Sequence, residues 1–112
     1  MEAVRGLVLS TKREGNQVVI YASGELDLAA VPMLIEIVKS ESKKAISGCV
    51  LHCEEVTFID SETIKCILGL QMALASVGKD IRLRKCSREV ARILGLLGLS
   101  HLDMDLSADI CH

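Results

Sequence analysis

A serine flanked by two carboxylates is the residue of this chain best placed to do chemistry. Val56-Thr57-Phe58-Ile59-Asp60-Ser61-Glu62-Thr63-Ile64 passes from apolar residues into an Asp-Ser pair and on into an amphipathic stretch. That order predicts a buried strand, a tight junction, and a helix whose first turn carries Ser61. Backbone N–H groups at a helix start lack partners, and the helix dipole is positive there. A hydroxyl at that point tolerates conversion to a phosphate without loss of the fold. A plain helix cap is the simpler role for the same residue. Phosphoserine carries about −1.5 to −2 charges at neutral pH. Asp60 and Glu62 beside it, with Glu54 and Glu55 just upstream, would make that charge costly for a docked partner to cover. Thr63 is a second hydroxyl acceptor in the same turn.

Other chemistries find less support. Cys49, Cys53, Cys66, Cys86 and Cys111 include no C-x-x-C pair, which argues against a zinc knuckle or a thioredoxin-type motif. Cys49 and Cys53 share one face of a strand but stand roughly 13 Å apart at about 3.3 Å per residue. That is too far for one disulfide or one metal ion. They read as structural thiols of a reducing compartment. A catalytic Cys paired with His52 or His101 lacks an evident third orienting group, so a small thiol-dependent enzyme is only a minor alternative. His52 reads as a core or sheet-edge histidine. Gly24, Gly48 and Gly78 do not assemble a phosphate loop. No cofactor or metal is expected. Lys79, Arg82, Arg84, Lys85 and Arg88 form a modest basic cluster that reads as a solvated face. The formal net charge is −2, and Tyr21 and Phe58 are the only aromatics. Both facts argue against direct nucleic-acid binding.

These residues need elements to hold them. Leu7 and Leu9 alternate with Val8 and Ser10, a first strand. Glu14-Gly15-Asn16 is a turn signal, and Gln17 to Ala22 is a second strand rich in β-branched residues. Together they predict an antiparallel hairpin. Ser23-Gly24-Glu25-Leu26-Asp27 breaks that pattern, and Asp27 is placed to cap a helix from about Leu28 to Lys43. Pro32 sits in its first turn, where a missing N–H costs little. Val31, Leu34, Ile35 and Val38 recur at helical spacing. Cys49 to Cys53 is a short third strand, apolar enough to suit a centre covered on both faces. The helix after Ser61 turns Ile64, Ile67, Leu68 and Met72 inward, runs to about Val77 and stops at Gly78. Asp80 to Cys86 alternates as a fourth strand. Ser87 caps a third helix with Val90, Ile93, Leu94 and Leu97 on one face. The tail from His101 to His112 is mixed and acidic, suited to a last helical turn or to fraying.

The expected order is β-β-α-β-α-β-α, and right-handed crossovers make the later strands parallel. A chain of 112 residues suits one domain with one core, here residues 1–112. The N-terminus opens with an acid and lacks an apolar leader, and no stretch is long enough to span a membrane. A cytoplasmic protein is expected.

That element order, with these motifs at its joints, resembles the STAS domain, the family of bacterial anti-sigma factor antagonists and sulfate-transporter tails. Gly24-Glu25-Leu26-Asp27 follows the second strand as the family's G-[EDR]-[LI]-D does. Val56-Thr57-Phe58-Ile59-Asp60-Ser61 resembles its V-x-[FY]-[IM]-D-S signature. Gly78 stands before the fourth strand as the helix-stopping glycine. Ser87-Arg88-Glu89-Val90-Ala91-Arg92-Ile93-Leu94 with Gly98-Leu99 resembles the closing helix. The resemblance covers roughly residues 7 to 100. It implies a single α/β STAS-like domain with a mixed, mostly parallel sheet of about four to five strands packed with three or more helices.

The resemblance also implies a switch. The serine after the Asp is the family's regulatory phosphosite, and Ser61 holds that place. The unphosphorylated antagonist binds an anti-sigma factor, often itself a serine kinase. Phosphorylation breaks the pair, and a PP2C-type phosphatase restores it. No catalysis by this chain is implied. Glu25, Asp27, Asp60, Ser61, Glu62 and Thr63 are the expected partner-facing residues. The sequence departs from the family at Glu62 and Thr63, where a small residue and then Gly are usual, and at His52, where Asp or Asn is frequent. An adaptor subunit of a transporter accessory or stress-sensing complex, with Ser61 unmodified, is the alternative. The apolar surface of the helix after Ser61 could serve a homodimer.

Overall fold

In the computed structural model, which describes residues 2–4, 6–44 and 46–105, the expected hairpin is formed by β2 (Leu7–Glu14) and β3 (Gln17–Leu26). Their antiparallel register runs from Leu7↔Gly24 to Glu14↔Gln17, closing at Gly15-Asn16. Outside β2 lies a short edge strand, β1 (Glu2–Val4), which the sequence pattern does not announce. Three residues are too few to establish an alternation. Inside the sheet, β4 (Gly48–Ile59) is parallel to β3, and β5 (Asp80–Arg84) is parallel to β4. The five-stranded sheet has the order β1-β2-β3-β4-β5, with two antiparallel and two parallel pairings. The helices are α1 (Val31–Ser42), α2 (Ser61–Ala75) and α3 (Arg88–Leu96). The chain is therefore the expected mixed α/β domain with an added edge strand.

The helices share one face of the sheet. Strands β3, β4 and β5 are adjacent in sequence order, so right-handed crossovers place α1 and α2 on the same side. Leu34 and Val38 of α1, Ile64 and Ile67 of α2, and Val90 and Leu94 of α3 all join one core with Leu9, Ile20, Leu51 and Leu83. Alternate residues of the strands point away from it. The expectation that Cys49–Cys53 is covered on both faces holds, since Cys49, Val50, Leu51 and Cys53 are all buried and His52 is half-buried. Cys49, Leu51 and Cys53 face the helices, while Val50 and His52 face away and lie outside that core. Val50 is nonetheless only 1% exposed.

Four local departures have clear causes. The helix expected from Leu28 begins instead with a 3-10 turn, Leu28–Ala30, and α1 starts at Val31 with Pro32 in its first turn. Asp27 flanks that turn, but its side chain makes no capping bond. Met72 faces solvent at 68% exposure, and Leu68 is half-buried, because α2 needs only the stripe Thr63, Ile64, Ile67 and Leu74 for the core. Helix α2 ends at Ala75, shortly before Gly78. Lys79 is no part of a solvated basic face. Its Nζ donates to the Ser42 carbonyl and to the Lys44 carbonyl at 3.1 Å, neutralising the negative end of α1.

The chain past α3 forms a strap along β5. Ser100–Leu102 is a 3-10 turn, Leu102 is buried in the core, and Asp103 bridges to Leu83 in parallel. Arg82 donates to the His101 carbonyl at 3.2 Å, and the Lys85 amide donates to Asp105 at 2.7 Å. Residues 106–112, with Cys111, lie outside the described residues. Among the described residues no helix is long and apolar enough to cross a membrane.

Candidate functional site

Parallel pairing brings the two aspartates of the motifs together. Leu26 on β3 pairs with Ile59 on β4, so Asp27 and Asp60 leave the sheet from adjacent strand ends. Neighbouring strands lie about 4.8 Å apart, which fixes how closely these exits stand. The register that achieves this contains two slips. From Tyr21↔His52 to Ser23↔Glu55, β4 advances three residues while β3 advances two. From Gly24↔Val56 to Glu25↔Phe58, β4 again advances by one extra. Cys53, Val56 and Ile59 are consequently buried, while Glu54-Glu55 and Thr57-Phe58 are exposed in pairs. Such bulges bend a strand and re-aim its side chains.

Asp60, and not the Ser61 that the sequence offers as a plain cap, caps α2 from an extended backbone. Its Oδ1 accepts the Thr63 amide at 2.8 Å and the Thr63 hydroxyl at 2.6 Å. Short bonds to a carboxylate are about twice as strong as neutral ones. Ser61 sits in the next position, half-exposed, and its hydroxyl makes no hydrogen bond among the described residues. The cap is thus made entirely by Asp60, and the serine hydroxyl is left free.

Thr63 is not where a partner could touch it. It is 0% exposed, beneath the helix entrance, with its hydroxyl committed to Asp60. Its part in the site is to hold the aspartate. This corrects the sequence expectation of a partner-facing residue, and burial also removes it as an acceptor of phosphate. Thr63→Val keeps the shape and deletes the bond. A loss of about 2 kcal/mol is expected, read as a lowered urea midpoint with unchanged slope. Thr63→Ser should retain most of that bond.

The remaining candidates surround the serine. Glu62 is exposed in the first turn of α2 and pairs with Lys65 at 3.3 Å. Asp27 is half-exposed and Glu25 is exposed. The Glu25 amide donates to the Gly6 carbonyl at 3.2 Å, which fastens the end of β3 to the joint between β1 and β2. Two apolar residues join them that sequence patterning does not single out. Leu28 is 52% exposed just after Asp27, and Phe58 is 42% exposed opposite Glu25. The signal for Phe58 was its place within the motif, where a run of apolar residues reads as buried. Exposed apolar groups beside charged ones are what a docking surface offers.

Three thiols, Cys49, Cys53 and Cys86, lie elsewhere and are passivated. Burial, with a smaller contribution from Glu41, pushes the Cys49 thiol up to about 11. Burial and then Asp103 push Cys53 up to about 12. Burial raises Cys86 as well, followed by Cys53 and Asp103. A nucleophilic cysteine needs the opposite shift. His52 packs its ring 4.9 Å from that of Tyr21 on the open sheet face. Among the described residues no three His, Cys, Asp or Glu side chains converge as a metal site.

Comparison with known proteins agrees with this architecture. The family described as "Mlab, STAS domain" matches residues 9–106. The structure is similar to that of the anti-sigma factor antagonist SpoIIAA in its unphosphorylated form, with a TM-score of 0.74 and 25% identity over 87% of this chain and 86% of that one. It is similar in fold to the Bacillus cell fate determinant SpoIIAA in the phosphorylated form, with a TM-score of 0.68 and 22% identity over 94% of this chain and 100% of that one. An anti-sigma factor antagonist from Mycobacterium paratuberculosis shares the fold with a TM-score of 0.76 and 17% identity, covering 93% and 88%. No curated protein sequence matches the chain. With the family pattern extending from the first core strand to the strap beyond α3, the chain belongs to the STAS domain family.

Proposed function

We propose that this chain is a cytoplasmic anti-sigma factor antagonist that works by partner switching. Unmodified, it binds an anti-sigma factor that is also a serine kinase. Phosphorylated on Ser61, it lets that partner go, and a PP2C-type phosphatase resets it. The chain is the substrate and performs no catalysis. The observation that carries the reading is the half-exposed Ser61 hydroxyl, free of internal bonds beside a cap already completed by Asp60 and Thr63. Glu25, Asp27, Asp60 and Glu62 form the contact surface around it, with Leu28 and Phe58 as apolar anchors. The raised thiols argue against the thiol-enzyme alternative.

The test is direct. The protein is incubated with its cognate kinase and ATP, and the phosphate is mapped by mass spectrometry. Label on Ser61 is expected; label confined to any other residue sinks the assignment. The second reading, an adaptor subunit with Ser61 unmodified, draws its support from Thr63, a buried threonine where the family pattern usually has glycine. A native pull-down that recovers assembly subunits but no kinase, and a Ser61 that stays unlabelled, would favour it. A homodimer through the outer face of α2, where Met72 is exposed, is compatible with either reading.

A further inference from the structure

The face of the sheet away from the helices carries a band of cationic donors. Lys12, Val19, Val50 and Arg82 align in one row across β2 to β5. Ser10, Tyr21, His52 and Arg84 align in the next. Val19 and Val50 are each 1% exposed, so the band itself offers almost no apolar surface to a partner. What it offers is N–H groups. Lys12, His52 and Arg84 make no hydrogen bond or ion pair among the described residues. Arg82 is already engaged, with the His101 carbonyl at 3.2 Å and Asp80 at 3.8 Å. Lysine and arginine donate and cannot accept, and a half-buried guanidinium is matched best by a carboxylate taken in bidentate fashion.

The band is bounded on both sides. Glu14 and Asp80 stand at the ends of the row before it, and the Tyr21 hydroxyl donates to Glu14 at 3.2 Å. Glu54 and Glu55 are exposed just past His52. An anion fits only across the strands, between these carboxylates. We propose that this face docks a short acidic segment of a partner protein, laid across β2 to β5 with its carboxylates on Lys12 and Arg84. Four strands about 4.8 Å apart span about 14 Å, the reach of roughly four extended residues. A longer polyanion would overrun onto the flanking acids. One tyrosine is also a poor stacking platform for single-stranded nucleic acid. The surface is separate from the Ser61 entrance and does not depend on its phosphorylation.

The experiment uses a short peptide of alternating Glu and Ser, titrated into the isotope-labelled full chain at low ionic strength. Amide shifts are expected at Lys12, Tyr21, His52, Arg82 and Arg84, weakening as salt rises. The double variant Lys12→Glu with Arg84→Glu should lose at least about tenfold in affinity. Lys12→Gln with Arg84→Gln serves as the milder pair if charge reversal disturbs the fold. Shifts absent or centred elsewhere, or unchanged binding by the folded variants, would overturn the proposal. So would an oligothymidylate that binds this face more tightly than the acidic peptide.

Discussion

Ser61→Asp is expected to bind the anti-sigma factor about a hundredfold more weakly than Ser61→Ala, a difference of about 2.8 kcal/mol. The argument is local. A carboxylate at position 61 is placed next to Asp60 and Glu62, on a surface that already holds Glu25 and Asp27. In the free protein the new charge is solvated and faces the positive end of α2, so the fold should be unharmed. In the complex it must be stripped of water against a partner shaped for a hydroxyl. Two like charges about 6 Å apart interact by about 2.8 kcal/mol at an effective dielectric constant of about 20. One unfavourable contact of that kind is sufficient. Titration calorimetry at two salt concentrations checks both the size and the origin, since an electrostatic loss shrinks as salt rises. Equal affinity of the two variants would remove the charge switch while leaving the docking surface in place.

The largest effect on stability is expected at Gly24. Its φ is +109°, and a Cβ built there would lie 1.9 Å from the Gly6 carbonyl oxygen. That oxygen also accepts the Glu25 amide, so the clash cannot be relieved without parting β3 from the joint between β1 and β2. Gly24→Ala should cost about 4 kcal/mol, a large share of the stability of a domain this size. Gly15→Ala is the control. Gly15 also has a positive φ, +61°, but its Cβ would meet nothing within 4 Å. A cost of about 1 kcal/mol is expected there. Urea unfolding of both variants separates backbone strain from steric exclusion. Comparable losses at the two sites would show that the close approach to Gly6 carries no weight. The first residue of the Gly24-Glu25-Leu26-Asp27 motif is thus explained by packing, independently of any partner.

Where the residue pattern carried one signal, the fold could be read from it. The hairpin has an alternating first strand, a β-branched second strand and a Gly-Asn turn between them, and it formed as expected. Ser87 and Asp60 each precede an amphipathic stretch, and each caps a helix by accepting an amide three residues on. The second half of β4 was harder. Burial at Cys53, Val56 and Ile59 has a period of three, so alternation fails there and Glu54-Glu55 resembles a break. Only long-range pairing with β3 keeps that segment extended. The first half of β4 was legible by contrast, because an apolar run reads as a strand buried on both faces, and Cys49, Val50, Leu51 and Cys53 are buried.

The candidate site divides in the same way. The placing of Asp60, Ser61 and Glu62 at a helix start was legible because such a start has a local signature. Thr63 was placed on the wrong side of the surface, since nothing in the sequence tells a buried hydroxyl tied to Asp60 from an exposed one. Asp27 was expected to cap and does not; its neighbour relation to Asp60 comes from sheet register, which residue types alone do not encode. The exposure of Leu28 and Phe58 was not legible, because an apolar side chain in a motif is ordinarily assigned to the interior.

The two slips in β4 cancel between the interior of the domain and its far end, since each adds one residue and two residues are one full period of a strand. Odd-numbered Cys49, Leu51 and Cys53 look inward, even-numbered Val56 looks inward between the slips, and odd-numbered Ile59 looks inward again. Losing one of Glu54 or Glu55 would therefore be absorbed by the first slip, with Val56 following Cys53 in plain alternation and Ile59 still inward. Chain length at these two glutamates is under looser constraint than the apolar character of Cys53, Val56 and Ile59. A homologue one residue shorter here should keep the same three inward positions.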